Sequence, residues 1–550
     1  MRARFAGVLL ACTLAVSGCA SIGRPAAPQA EPGMVPELVL PAEGTGSVAG
    51  LVNYNPLAAQ QLTKTWIYEP LMILDSFACA MRPWLATGYA WKTPTQLVFT
   101  IREGVTWSDG TDFTPADVVW NLNSWRQYPG ADQAGLWSDT LGGKATAVRA
   151  EGNDVIIEFD APAPNKLEQL VGRPMLPEHV YGKVGDITQY IDEQPVGTGP
   201  FVVGAYNGRR LELNRNPDYW QADTIKVERL ALEGQYEDPN AAALKLRNGD
   251  LDVFTGDIPN PNRSVKRNAN TDFYYAPAGT TVVTPNLEQK PFDDVRFREA
   301  MAYGIDKEQA TLKATYGVME PASQTMLKLP VQAGDLPEEY RDTQGYIQYD
   351  PEKAAALLDE AGYRLNDDGV RTHKDGKPIS LTFSLQAGYI DYIALADTVT
   401  RNWRALGIDI KMVVTDPDAV TAQKKSGDFD VVLEYVGGGC TRSREWGTRL
   451  DSSQINSEKS KDLLPNVSRY RNPEVDKVIA DMEGTTDPAE IKADSDKLVD
   501  VWMTEFPVIA LNYAPARLVY RDATTTGWPS EENPYALDSM LYVMTQIRPK

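Results

Sequence analysis

The run Phe429-Asp430-Val431-Val432-Leu433 is almost continuously apolar, which suits a strand covered on both faces. Working outward from it, Ile408 to Val414 and Ile379 to Leu385 alternate in the manner of further strands. Between them the spacing of apolar residues predicts helices over 392–406 and about 417–426, and another over 351–361. Asp350-Pro351 opens that last helix, Ala354, Leu357, Leu358 and Ala361 share one of its faces, and Gly362 stops it. Strand and helix in alternation are the rhythm of an open α/β sheet.

The N-terminal half is punctuated differently. Thr114-Pro115-Ala116-Asp117 is a capping box with proline at the first helical position, followed by Val118, Leu122 and Trp125 on one face. Short β-rich runs lie at Leu97 to Ile101 and Val155 to Phe159, so 95–160 reads as a sheet with an inserted helix. Phe297, Ala300, Met301, Gly304 and Ile305 mark a further helix, and Asp487-Pro488-Ala489-Glu490 starts a late one that Pro507 ends. These faces read as core packing. A chain of 550 residues has material for two or three domains.

The formal charge is −21, from 54 Lys and Arg against 75 Asp and Glu. A surface this acidic repels phosphate backbones and argues against nucleic acid as a partner. Two histidines and four cysteines leave little material for zinc sites or histidine catalysis. His179 and His373 belong to no zinc motif, no Gly-x-Ser-x-Gly elbow or Walker loop occurs, and Gly197-Thr198-Gly199 runs into Pro200-Phe201 instead of a dinucleotide loop. Acidic pairs such as Asp293-Asp294 read as solvated acids and helix caps. No metal, cofactor or catalytic residue is expected.

The chain opens as an address. Met1-Arg2-Ala3-Arg4 is basic, Phe5 to Val16 is mostly apolar, and Val16-Ser17-Gly18-Cys19 follows. The segment resembles a bacterial lipoprotein signal, which implies removal of 1–18 and acylation of Cys19; the alternative is an ordinary secretory peptide. Residues 19–47, with Pro25, Pro28, Pro32, Pro36 and Pro41, read as an extended tether without packed elements. After Cys19 two cysteines remain, Cys79 and Cys440, which could pair outside the cytoplasm or stand as two separate buried thiols.

A series of segments resembles one family, the extracytoplasmic solute-binding proteins of ABC importers, family five, of oligopeptide and dipeptide type. The most specific is Phe99-Thr100-Ile101-Arg102-Glu103-Gly104-Val105-Thr106-Trp107-Ser108-Asp109-Gly110-Thr111, continuing through Phe113 and Pro115 to Val118. Before it stand Asn53-Tyr54-Asn55-Pro56 and Ile67-Tyr68-Glu69-Pro70-Leu71. After it come Pro195-Val196-Gly197-Thr198-Gly199-Pro200-Phe201, Asn214-Arg215-Asn216-Pro217-Asp218-Tyr219-Trp220 and Phe292 to Ala300. Ala302 to Lys307, Tyr349-Asp350-Pro351, Gly427 to Asp430 and Asn472 to Asp476 complete the series.

The resemblance implies an α/β fold of the two-lobed periplasmic-binding-protein type II kind, with a hinge and an extra subdomain in the first lobe. It places 48–78 with 190–285 and 508–550 in the first lobe, 79–189 in the extra subdomain and 286–507 in the second lobe. It implies a monomer, held at the bacterial cell membrane by its lipid, that captures an oligopeptide or oligosaccharide between the lobes. Delivery would be to ABC permease subunits, with no reaction on the ligand. Two alternatives stand beside it, an exported hydrolase of similar oligomers and a chemosensory binding lipoprotein.

Peptide binders of the family commonly carry an acidic residue, often in an Asp-Pro pair, after the strand matching Phe429 to Leu433. Here the strand runs into Glu434-Tyr435-Val436-Gly437-Gly438-Gly439-Cys440, without that pair. Glu434 or Glu445 could stand in for it, though neither matches by position. Thr526-Gly527-Trp528-Pro529-Ser530-Glu531-Glu532-Asn533-Pro534-Tyr535 resembles a motif of the oligosaccharide binders, which stack aromatic rings on sugars. Tyr54, Tyr389, Tyr435, Trp446, Trp528 and Asn533 are therefore expected at the cleft, Tyr389 because it follows a strand's carboxyl end.

Overall fold

A computed structural model describes residues 31–42, 48, 50, 53–58, 64–139, 142–234, 238–266, 270–457, 460, 462–535 and 539–550. The expected signal 1–18 and Cys19 lie outside the described residues. Among the described residues no helix is long and apolar enough to cross a membrane.

The α/β alternation read around residue 430 forms half of a six-stranded sheet. Ser380–Gln386 lies parallel to Asp409–Thr415 on one side and to Val431–Gly437 on the other. Helices Ile390–Ala405 and Pro417–Ser426 make the crossovers. Val431 and Val432 are fully buried, as a strand covered on both faces requires. The sheet continues antiparallel through Thr271–Pro285, Ile509–Arg521 and Val253–Phe254.

Thr271–Pro285 and Ile509–Arg521 are long enough to belong to two bodies. Tyr274, Ala276, Leu518 and Tyr520 sit in a core with the N-terminal half of the chain. Val282, Val283, Ile509, Ala510 and Leu511 sit in cores built from residues of 282–513. The pair breaks register between Pro277 and Gly279 and again between Thr281 and Val282. At Gly279 a Cβ would stand 2.4 Å from the Val436 carbonyl, so the backbones touch where the strands pass from lobe to lobe. These two adjacent strands are the hinge.

The first lobe carries a four-stranded sheet in the order Leu38–Pro41, Arg229–Glu233, Arg210–Arg215, Phe201–Tyr206. Its extra subdomain is an antiparallel sheet of Ala86–Thr93, Gln96–Ile101, Asp154–Phe159 and Ala145–Glu151, against which helix Pro115–Gln127 packs. At that helix's start the Asp117 carboxylate accepts from the Thr114 N–H at 2.8 Å and its hydroxyl at 2.9 Å.

Two expectations are corrected. The stretch 19–47 is not a tether throughout, because Leu38–Pro41 pairs parallel with Arg229–Glu233 and Val35, Leu38, Val39 and Leu40 are buried. The buried Glu37 carboxylate beside them holds Arg229 at 2.8 Å and Arg210. Secondly, the boundaries at 79 and 286 shift, since hairpin Met72–Asp75/Ala80–Pro83 straddles the first. The hinge strand crosses between cores near residue 280, ahead of the second.

Candidate functional site

A cavity of about 690 Å³ lies beside the hinge and takes its walls from both lobes. The first lobe contributes Asp257, Ile258 and Pro261, and the hinge strands contribute Tyr275, Thr281, Asn512 and Arg517. The second lobe supplies the carboxyl end of its parallel strands. After strand Ser380–Gln386, Gly388, with a φ of +94°, turns the chain away, and Tyr389 stands at the N-cap position of helix Ile390–Ala405. Ligands of α/β sheets gather at such strand-to-helix turns.

Tyrosines are the aromatic part of an otherwise mixed wall. Tyr275, Tyr316, Tyr389, Tyr392 and Tyr435 all line the cavity. The Tyr389 and Tyr392 rings stand 5.3 Å apart. Tyr435 faces Thr281 across the ladder and is about half exposed. Burial, then the Asp257 charge, pushes the Tyr275 phenol up to about 12, so it stays a neutral donor at ordinary pH.

The charges are distributed unevenly. Asp257 and Arg517 form an ion pair at 3.2 Å. Glu434 is already committed, accepting from the Thr284 hydroxyl at 3.0 Å and pairing with Lys424 at 3.2 Å and Arg449 at 3.6 Å. A carboxylate so neutralised has little attraction left for an incoming ammonium. Asp391, in the first turn of its helix, has no ion pair among the described residues, and burial raises its pKa. The Asn512 side chain donates to the Tyr513 carbonyl at 2.9 Å, while its buried oxygen has no partner among the described residues. A buried acceptor left unmatched in a cavity wall is an invitation to a ligand donor.

Of the residues expected at the cleft, the structure brings Tyr389 and Tyr435 together on the cavity wall and places the other four elsewhere. Trp528 is buried in the first lobe, stacked on Tyr520 at 5.1 Å, with its indole N–H donated to Thr525 at 3.0 Å. Trp446 is buried in the second lobe with the Arg442 guanidinium 5.4 Å from its ring. Tyr54 is packed in the first-lobe core. Asn533 is exposed, in a turn where it and Ser530 exchange backbone hydrogen bonds. Glu445 sits beyond the strand with Arg444 at 3.7 Å, and burial raises its pKa. Asp391, two residues after Tyr389, carries the same strand-end signal. Asp257, Tyr275, Asn512 and Arg517 carried no local signal, because only the hinge pairing, Tyr275 opposite Arg517, brings them together.

Cys79 and Cys440 are joined in a disulfide, with Cα atoms 5.2 Å apart and a separation of 361 in sequence. Cys79 is in the hairpin turn of the first lobe, and Cys440 follows strand Val431–Gly437 of the second.

A family model described as bacterial extracellular solute-binding proteins, family 5 middle, matches residues 80–457. The periplasmic oligopeptide-binding protein of an oligopeptide ABC transporter from Thermotoga maritima is 25% identical, with a TM-score of 0.79 over 94% of this chain and 99% of that one. A mannohexaose-bound structure of that Thermotoga protein matches with a TM-score of 0.68, at 25% identity over 95% of this chain and 100% of that one. Di/tripeptide-binding protein 1 of Pseudomonas aeruginosa is 25% identical over 66% of this chain and 62% of its own length. The chain belongs to the family 5 bacterial extracellular solute-binding proteins.

Proposed function

We propose that this family 5 protein captures an oligomeric solute, an oligosaccharide or an oligopeptide, in the cavity between its lobes and hands it unaltered to the permease of an ABC importer. The observation that carries this reading is the cavity itself, whose walls come from both lobes and from the two strands that join them. A ligand touching both walls makes its full set of contacts only when the lobes are together, so it stabilises the closed arrangement. The permease then has a shape to recognise. Lipidation at Cys19 would hold this monomeric body at the outer face of the bacterial cell membrane, since two or more acyl chains anchor firmly.

The tyrosine-rich wall favours an oligosaccharide. Phenol rings cover the apolar C–H faces of pyranoses, while Asn512, Gln386 and Asp391 offer partners for their hydroxyls. Glu434, held by Lys424 and Arg449, is a poor anchor for a peptide's α-ammonium. Asp391 supports the second reading, a peptide, as the cavity carboxylate without an ion pair.

A thermal-shift panel of manno-oligosaccharides, cello-oligosaccharides and short peptides tests the proposal, because a solute bound only by the folded state raises the melting temperature. One class should raise it, and the bound oligomer should be recovered intact. Cleavage of the oligomer would replace the reading with a hydrolase. Binding without uptake in vesicles carrying the cognate permease would favour a chemosensory role. Cys19→Ser should move the protein from the membrane fraction to the soluble one.

A further inference from the structure

Just beyond Tyr435, where strand Val431–Gly437 ends, the lobes meet in a dense seam. From the first lobe come Ser76 and Cys79 in the hairpin turn, with Asn165 and Glu168 around the short helix Leu167–Val171. From the second come Lys328, the segment Gly438 to Ser443, and Glu483. The Glu168 carboxylate accepts from the N–H groups of Cys440 at 2.9 Å and Thr441 at 3.3 Å. Asn165 accepts from the Ser443 hydroxyl at 2.5 Å and donates to Glu483 at 3.0 Å. The Lys328 ammonium donates to the Gly438 carbonyl at 2.6 Å in its own lobe and to the Ser76 carbonyl in the other. The Cys79–Cys440 disulfide runs through the middle of this set.

Hydrogen bonds of this kind can break and re-form as lobes move. The disulfide cannot. The hinge strands are adjacent, so by themselves they leave the second lobe free to swing about one line. Cys440 lies off that line. Gly437 is the partner of Gly279 at the crossing, and three extended residues carry the chain at most about 10 Å further. Disulfides accept Cα separations of about 4.4–6.8 Å, so a bond spanning 5.2 Å here has about 2 Å of give. With an arm no longer than ~10 Å that give corresponds to an opening of about 10° or more, the shorter arm allowing the larger angle.

We propose that the Cys79–Cys440 disulfide is a stop that limits how far the lobes separate. With the bond closed, the empty protein opens less far than unbridged lobes would, and the ligand still completes the closure that the permease reads. A binding protein whose competent arrangement is already populated loses less affinity to conformational change, so the bond raises affinity and slows release. The two cysteines act here as positioning residues, through the lobes and not through contact with cargo. The inference deepens the capture reading by naming what controls exchange at that site.

Small-angle scattering on ligand-free protein tests it without any cargo, so its outcome is separate from the identity of the solute. The oxidised wild type should be more compact than the Cys79→Ser/Cys440→Ser variant. Amide exchange at 276–281 and 511–516 should be faster in the variant, and faster there than in strand Ser380–Gln386, which a general loosening would affect equally. Where the variant is too unstable to measure, wild-type protein reduced with a phosphine, with two thiols counted, gives the same comparison. Equal radii of gyration with unchanged hinge exchange would overturn the proposal. A larger radius with uniformly faster exchange would overturn it too, as loss of fold instead of release of a stop.

Discussion

Two sets of aromatic side chains, alike in sequence, stand in opposite situations. At the C-terminal end of the first lobe, Trp528 stacks on Tyr520 and gives its N–H to Thr525, while the Tyr535 hydroxyl donates to the Gly527 carbonyl. Every surface of those rings is spoken for. At the carboxyl edge of the second lobe's sheet, Tyr389 and Tyr435 are each about half exposed and turn toward a cavity walled by the other lobe. The first set holds its lobe together, and the second leaves ring surface open to the cavity. Composition does not separate the two roles; the partners of the rings do.

The strongest way to break that contrast is Trp528→Ala. Removing a buried, stacked indole should cost about 3–5 kcal/mol of stability, read as a lower urea midpoint. Affinity for whichever oligomer the panel identifies should be unchanged at temperatures where the variant remains folded. Lost affinity with stability intact would move Trp528 into the site.

A third aromatic set sharpens the contrast with a pH handle. Trp84 and Tyr219 donate to one oxygen of the fully buried Glu69 carboxylate at 2.6 and 2.7 Å, and Trp220 donates to the other at 3.2 Å. Burial raises this group from 4.5 to about 7, against the pull of those donors. Between those two values the folded protein holds a proton that the unfolded chain has released. Its contribution to stability is therefore present below pH 4.5 and is lost as pH rises through about 7, by at most about 3 kcal/mol. Denaturation curves across this window should show that slope, and Glu69→Gln should flatten the part of it due to this group. An identical slope in the variant would assign the titration elsewhere.

How much of this was legible depended on whether the signal was local. The alternation from Asp350 to Tyr435 needs only caps and periodicity, and its strands and helices fall within a few residues of expectation. The buried strand Leu38–Pro41 was hidden because a strand covered on both faces has no alternation, and the surrounding prolines read as linker. The cavity draws on segments near 257, 275, 316, 390, 434 and 515. No window of sequence contains them together, so the hinge residues escaped while Tyr389, announced by its strand end, did not. The pairing of Cys79 with Cys440 joins positions separated by 361 in sequence, which no local pattern encodes.

The cavity rings themselves give the smallest expected effects and the most specific ones. Tyr435→Ala and Tyr389→Ala each remove a half-exposed ring, and substitutions of that kind usually leave stability within about 0.5 kcal/mol. Each should instead weaken binding by about 1–2 kcal/mol, roughly 5- to 30-fold, if a sugar ring or an extended peptide lies across it. Tyr435 projects from a strand and Tyr389 from the helix cap beside it, so one ligand unit can touch both. A double-mutant cycle by calorimetric titration then reports their geometry. Coupling of 0.5 kcal/mol or more means one unit shared between the rings, and additivity means two units bound side by side. A melting temperature that falls in either single variant while affinity holds would place these rings with Trp528, as packing, and the contrast between the two sets would be lost.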